Sequence, residues 1–258
     1  MVAHLFHKNM LPLFKSHYSI NKSILTLGSP QEEKNLETPR SIFDIITENE
    51  LKHFFLVEDS MSGFLQAYQE AKKLELSLSF GLRVSVHNTS PDSAFKIVIF
   101  CLNSQGYYDL IKIATFAGTV GKIGKIPAID WENLEKLWTK NLKMGICFYD
   151  GFLHRNNTTF SACVPIFNFT EPIFFLEKHD LPFDELITTK TLQYCKNNDH
   201  QTIEVSSIYY ETKEDFLAYQ TIKAVSVMSR GKRGTLQRPE NSHLSTDTFC
   251  WEDVKEKL

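Results

Sequence analysis

The chain has 258 residues, 42% of them hydrophobic, and a formal net charge of −3. That length fits one α/β barrel domain or two small domains, and the apolar share is enough for a real core. The charge lacks the strongly basic footprint of an autonomous nucleic-acid binder, which leaves only local basic patches open.

In chain order, Leu11–Phe14 reads as a first strand. Lys15–Ser19 follows as a turn, with His17 read as an exposed loop histidine. Residues 29–40 are polar, with two prolines and several glutamates, and read as a surface loop. Ser41 and Asp44 form a capping box for a helix whose apolar face is Ile42, Ile45, Ile46 and Leu51. Phe54–Val57 is short, apolar and suited to a buried strand. Glu58–Gly63 is a polar turn. Phe64, Leu65, Ala67, Tyr68, Ala71 and Leu74 then recur at helical spacing, and Leu78–Val86 is again β-rich. This strand–helix–strand unit is the repeat of a parallel α/β fold.

Phe95–Leu102 is a continuous β-branched run, a buried strand, and Asn103–Gly106 caps the helix Tyr107–Phe116. Gly118–Pro127 has glycines and lysines, but no Ser or Thr follows a lysine as a phosphate-cradling loop requires. It is read as a flexible solvent loop. Asp130 caps a helix over Trp131–Thr139. Strands are expected at Lys143–Tyr149, Pro172–Leu176 and Ile203–Ser207, with a helix over Asp184–Asn197. Thr212 and Asp215 form a second capping box, for the helix Phe216–Val227. Ser229–Pro239 is basic, with Arg230, Lys232, Arg233 and Arg238. The five cysteines show no zinc or redox spacing and read as buried free thiols in a reducing compartment. No stretch approaches ~18 uncharged apolar residues, so a cytoplasmic chain without a membrane partner is expected.

Seven of these segments, in this order, resemble the PHP (polymerase and histidinol phosphatase) domain of bacterial C-family replicative DNA polymerases, the DNA polymerase III alpha subunits. The family's T-D-H-G-x-x-x-G turn is matched by Leu56-Val57-Glu58-Asp59 with Gly63. Its I-G-x-E-x-x-V strand is matched by Phe80-Gly81-Leu82-Arg83-Val84-Ser85-Val86. Its H-x-H-S-x-Y-S places Leu13 and Lys15 at two histidine positions, aligned on Ser16, Tyr18 and Ser19. Asn103, Gly106, Tyr107 and Leu110 match N-x-x-G-Y-x-N-L. Asp150–Leu153 matches S-G-C-L, with Phe152 at the cysteine. Glu177–Pro182 matches a shortened E-x-x-x-H-G-x-P through His179. Val205–Tyr210 matches A-T-N-D-V-H-Y, with Ser207 at the aspartate and Tyr209 at the histidine. Phe249–Val254 resembles the segment that precedes the polymerase palm. The sequence stops at Leu258, so no nucleotide-transfer aspartates are expected in it.

The resemblance implies an α/β fold, a distorted TIM-like (β/α)7 barrel of the PHP type. It implies a single domain over residues 1–258, with 229–258 as a C-terminal extension toward a palm. Active members hold several metals that polarise phosphate and deliver hydroxide. The corresponding cleft here carries Leu13, Lys15, Val57, Glu58, Arg83, Lys96, Phe152, Ser207 and Tyr209, with His179 as the one retained position. Only Glu58 and His179 are able to ligate a divalent ion, so neither catalytic residues, metal nor cofactor are expected. Lys15, Arg83 and Lys96 are expected to pair with Glu58 and Asp59. The function expected is that of an inert structural or docking module in DNA replication. Its partners would be the polymerase core, a proofreading exonuclease or both, with weak DNA binding at most. The alternatives are an active phosphoesterase or 3′–5′ exonuclease with an altered metal set, and a stand-alone regulatory relative.

Overall fold

The computed structural model describes residues 10–19, 22–30, 39–88, 93–124, 126–159, 163–228 and 246–258. The basic stretch Ser229–Pro239 lies outside the described residues. So do 31–38 of the expected surface loop, residues 89–92 between the strands expected at Leu78–Val86 and Phe95–Leu102, and position 125 of the Gly/Lys-rich loop.

The first half of the chain runs β1 (Met10–Phe14), α1 (Ile42–Glu48), β2 (His53–Glu58), α2 (Phe64–Lys73), β3 (Ser77–His87), β4 (Phe95–Cys101) and α3 (Ser104–Gly118). Then come β5 (Ala128–Asp130), α4 (Trp131–Leu137), β6 (Leu142–Ile146), α5 (Phe152–Thr158), β7 (Ile173–Leu176) and α6 (Asp184–Asn198). The chain ends with β8 (Gln201–Ile208), α7 (Phe216–Met228) and α8 (Trp251–Lys255). The expected caps form: Ser41 and Asp44 close a capping box on α1, the Asn103 side chain accepts from the Gly106 N–H, and Asp130 accepts from the Asn133 N–H. Thr212 and Asp215 close their box over a 3-10 turn that leads into α7.

Strand order is β2-β1-β8-β7-β6-β4-β3, and β2 also pairs with β3, so seven strands close a ring. The ring is an α/β barrel of the TIM-like kind, with β5 attached outside it on β3. All ring pairings are parallel except those of β4, which runs antiparallel to β3 and β6. Closure removes every sheet edge in the ring.

Side chains alternate along each strand between two cores, as a closed barrel requires. Leu11, Leu13, Phe55, Val57, Val98, Phe100, Ile173, Phe175, Ile203 and Val205 fill the interior. Phe14, Phe54, Leu56, Ile97, Ile99, Phe174 and Ile208 face outward beneath the helices. Burial on both faces is why these strands read as unbroken apolar runs rather than alternating ones. The interior is crowded by rings: Phe55 meets Phe100 at 5.8 Å and Phe100 meets Phe175 at 6.3 Å, both edge-on. Two glycines make room. A Cβ on Gly145 would stand 2.2 Å from Phe175 Cζ, and one on Gly81 would stand 2.8 Å from Val98 and Phe100.

Three short elements differ from the sequence expectation. β5 and α8 fall where no element was foreseen, and α5 follows the strand expected over Lys143–Tyr149, which ends early at Ile146. Residues 246–258 pack back onto the barrel. The Tyr209 N–H donates to Phe249 O (2.9 Å), the Trp251 N–H donates to Tyr210 O (3.0 Å), and the Trp251 ring stacks on Phe14 at 5.6 Å. Phe249 and Cys250 are fully buried there. No helix among the described residues is long and apolar enough to cross a membrane.

Candidate functional site

The parallel strands all end at one rim, the end of such barrels where loops gather side chains. Lys15 follows β1, Glu58 and Asp59 close β2, Cys147 follows β6, Glu177 follows β7, and Tyr209 follows β8. Arg83 reaches the same rim from β3 and Lys96 from the start of β4, whose reversed direction brings its N-terminal end upward.

Inside the rim lies a cavity of about 30 Å³, room for little more than water. Leu13, Lys15, Val57, Arg83, Ser207 and Tyr209 line it together with Val98, Cys147, Tyr149, Phe175 and Glu177. Above it opens a larger cleft of about 790 Å³ between β3 and α3. Lys22, Asp59, Arg83, Lys96 and Asp150, with the neutral Tyr18 and Ser19, form its polar side; Leu82, Val84, Ile111, Ala114 and Ala117 form its apolar side.

Ion pairs occupy the rim. Lys15 Nζ, on a side chain only 5% exposed, faces Asp59 Oδ1 at 3.4 Å. Arg83 spans two carboxylates, Asp59 at 3.8 Å and Asp150 at 2.7 Å. Burial opposes the Asp59 charge, but Lys15, Arg83, Lys22 and Lys96 together outweigh it and hold the carboxyl well below its usual range. Glu58 behaves otherwise. It is fully buried, and burial raises its pKa despite the nearby Lys15. Both of its oxygens are taken, one by the Ser16 N–H at 2.8 Å and the other by the Ser19 hydroxyl. Ser19 Oγ in turn accepts from the Asp59 N–H at 2.8 Å. Glu58 is thus a backbone organiser for the β1 turn.

A second buried network ties the rim to the C-terminal segment. His179 Nδ1 lies 3.0 Å from Thr248 Oγ1, and His179 Nε2 lies 3.3 Å from Glu177 Oε2. The Phe249 ring stacks on His179 at 3.7 Å and on Tyr209 at 5.2 Å. Asp184 accepts from the Tyr149 hydroxyl (2.8 Å) and from the His179 N–H (2.8 Å).

The structure therefore gathers Leu13, Lys15, Val57, Arg83, Ser207 and Tyr209 around one cavity, with Lys96 on the adjoining cleft and Glu58 just behind. His179 does not line the cavity; its Nε2 lies against Glu177, which does. Phe152 does not reach the rim. As the first residue of α5 it is buried in the outer core, edge-on to Phe95 at 5.7 Å and to Tyr194 at 5.3 Å. The thiol at the rim belongs to Cys147, whose pKa is raised by burial against the pull of Arg83. The Glu58 carboxylate and the Lys96 ammonium take no ion pair among the described residues, and Arg83 finds a partner, Asp150, that the motif alignment had left without a role. Asp150 adopts a left-handed backbone (φ 62) that carries its side chain back toward Arg83, a detail no sequence spacing reveals. Lys22 was likewise missed, because it sits in a polar stretch with no pattern around it.

A family model described as PHP domain matches residues 36–156. The match takes in α1 through most of α5, and so includes Glu58, Asp59, Arg83, Lys96, Cys147 and Asp150. A solved structure from Bifidobacterium adolescentis, described as a candidate metal-dependent phosphoesterase, is similar at 14% identity and a TM-score of 0.23. That likeness covers 50% of this chain and 44% of the other, too little and too loose to support an argument. No curated protein matches the chain.

The PHP match raises the question whether this rim suits a metal cluster. It does not. Glu58 has both oxygens engaged, Glu177 and His179 hold one another, and Asp59 and Asp150 are claimed by Lys15 and Arg83. Among the described residues, no group of three or more His, Cys, Asp or Glu side chains is arranged to hold a metal ion. A divalent ion placed beside Asp59 would sit against an ammonium and a guanidinium, in a setting where like charges are poorly screened.

Proposed function

We propose that this chain is a PHP barrel without metal-dependent phosphoester chemistry. It serves as a structural and docking module of a C-family replicative DNA polymerase in the cytoplasm. One observation carries the metal-free part: Lys15 and Arg83 stand on Asp59 at 3.4 and 3.8 Å, where ligands and their ions would otherwise meet. The polymerase context rests on the order of the sequence motifs. It gains support from Phe249–Val254, the stretch that resembles the lead-in to a palm, since the described segment around it is anchored on the barrel through Thr248, Phe249 and Trp251. Anchoring of that kind transmits the position of the barrel to whatever the segment joins or contacts.

The test is co-elution of the purified chain with the polymerase core and proofreading exonuclease of its own cell, paired with assays of phosphomonoester and 3′-end hydrolysis. Stable co-elution without metal-stimulated hydrolysis is the expected result. Hydrolysis that follows added manganese or zinc would overturn the reading in favour of an altered metal set.

A further inference from the structure

We propose that the cleft between β3 and α3 docks an acidic, apolar-tipped peptide segment of a partner protein. The inference rests on the docking reading above and names the surface and the chemistry of its occupant.

Charge bookkeeping at the cleft is the first support. Lys15 and Arg83 balance Asp59 and Asp150 by direct ion pairs. Lys22 and Lys96 line the same cleft, and neither has an ion-pair partner among the described residues. Both are half-buried, so they face the cleft rather than open water. Burial and the neighbouring Arg83 lower both of their pKa values, that of Lys96 to about 8. Asp59 and Asp150 act on both lysines from a distance, but neither carboxylate is in ion-pair contact with them, so the two ammonium groups remain placed to receive further carboxylates.

The second support is the opposite wall. Leu82, Val84 and Ala117 are its buried apolar floor, each 4% exposed or less, and Ala114 and Ile111 carry it outward, Ile111 being 36% exposed. The surface continues as an aromatic row. Tyr107, which lines the cleft, stacks on Phe64 at 4.0 Å; Phe64 stacks on Tyr68 at 5.8 Å, and Tyr107 meets Tyr108 at 5.9 Å. Tyr68 and Tyr108 are 50% and 60% exposed. A small anion would have no use for this shelf, whereas a peptide would lay apolar side chains along it beyond its acidic end.

The shape and the overall charge favour peptide over nucleic acid. The cations are recessed in a concave site rather than spread over a convex face, and the chain as a whole carries −3. A backbone of phosphates needs outlying cations spaced along its track.

The probe is a fluorescein-labelled hexapeptide of four glutamates followed by leucine and phenylalanine, titrated by anisotropy against the full chain in EDTA. Saturable binding is expected, weakened about tenfold or more by Lys22→Glu with Lys96→Glu and several-fold by Ile111→Lys. Lys190→Glu, on α6, is the control that leaves it unchanged, and melting curves confirm that each variant is folded. Absence of binding, indifference to the charge reversals, or tighter binding of a thymidine hexanucleotide would each overturn the proposal. If the peptide fails while the chain still co-elutes with the polymerase core, this inference falls alone. Binding that needs added manganese would bring down the metal-free reading as well.

Discussion

Lys15 Nζ and Asp59 Oδ1 lie 3.4 Å apart, and neither atom has a hydrogen-bond partner among the described residues. Their meeting follows from strand pairing. β1 and β2 are parallel neighbours with Leu13 opposite Phe55, so the residues that follow each strand share one side of the rim. The two opposite charges are in mutual contact, and Lys15 is the largest of the cationic influences that offset the burial of Asp59.

Removing one partner should therefore cost more than removing both. Asp59→Asn is expected to destabilise the fold by about 2–3 kcal/mol, less than the ~3–5 kcal/mol of a fully buried pair because Asp59 is 28% exposed. Lys15→Met combined with Asp59→Asn should recover part of that loss, since no buried ammonium is then left unpaired. Urea unfolding of the two variants checks the order; a double variant weaker than the single one would refute the mutual account.

Glu58 is expected to act through its hydrogen bonds. Glu58→Ala leaves the buried Ser16 N–H without its acceptor and frees the Ser19 hydroxyl, at a cost of about 2–4 kcal/mol. The same substitution should raise amide exchange at Ser16 and Asp59, because Ser19 bridges Glu58 to the Asp59 N–H. Unchanged protection at those amides would show that Glu58 organises nothing.

The two adjacent carboxyls give opposite pH signatures. The folded pKa of Asp59 lies below the ordinary 3.8, so its stabilisation is fully present above about pH 4 and is lost as pH falls through the folded value. The folded pKa of Glu58 lies above the ordinary 4.5, so its contribution is fully present below that value and fades as pH rises through the raised one. The stability gap between wild type and Asp59→Asn should shrink in acid, while the gap to Glu58→Gln should shrink on raising pH above 4.5. Denaturant melts across pH 3–7 check both slopes; parallel slopes would contradict the assignment.

Barrel closure predicts a further cost far from any charge. Gly145→Ala directs a methyl at the Phe175 ring, 2.2 Å from Cζ, in an interior already filled by Phe55 and Phe100. A loss of about 1–3 kcal/mol is expected, since overpacked cores shift backbone and rotamers. Phe175→Leu in the same chain should relieve part of it, and failure to do so would mean the ring is not the obstacle.

Much of this was legible before the fold was known, and the misses have physical causes. The β2–α2–β3 unit declared itself through a short apolar run, a polar turn and a 3.6-residue period. The reversal of β4 did not, because a strand buried on both faces has the same composition in either direction. β5 and α5 were too short for a period to register. The rim residues Lys15 and Arg83 were found through motif positions, since strand ends converge whatever they carry. Phe152 was assigned by alignment to the rim, yet its bulk is better accommodated beside Phe95, Phe174 and Tyr194. Asp150 and Lys22 owe their roles to backbone geometry and to loops, which periodicity cannot report.

Metal stoichiometry, measured by mass spectrometry on the full chain after incubation with manganese and zinc and then gel filtration, tests the central claim most directly. The account predicts less than one tightly held ion per chain and no gain in melting temperature from either metal. Two or more retained ions, lost when Asp59 or Glu58 is replaced, would contradict it.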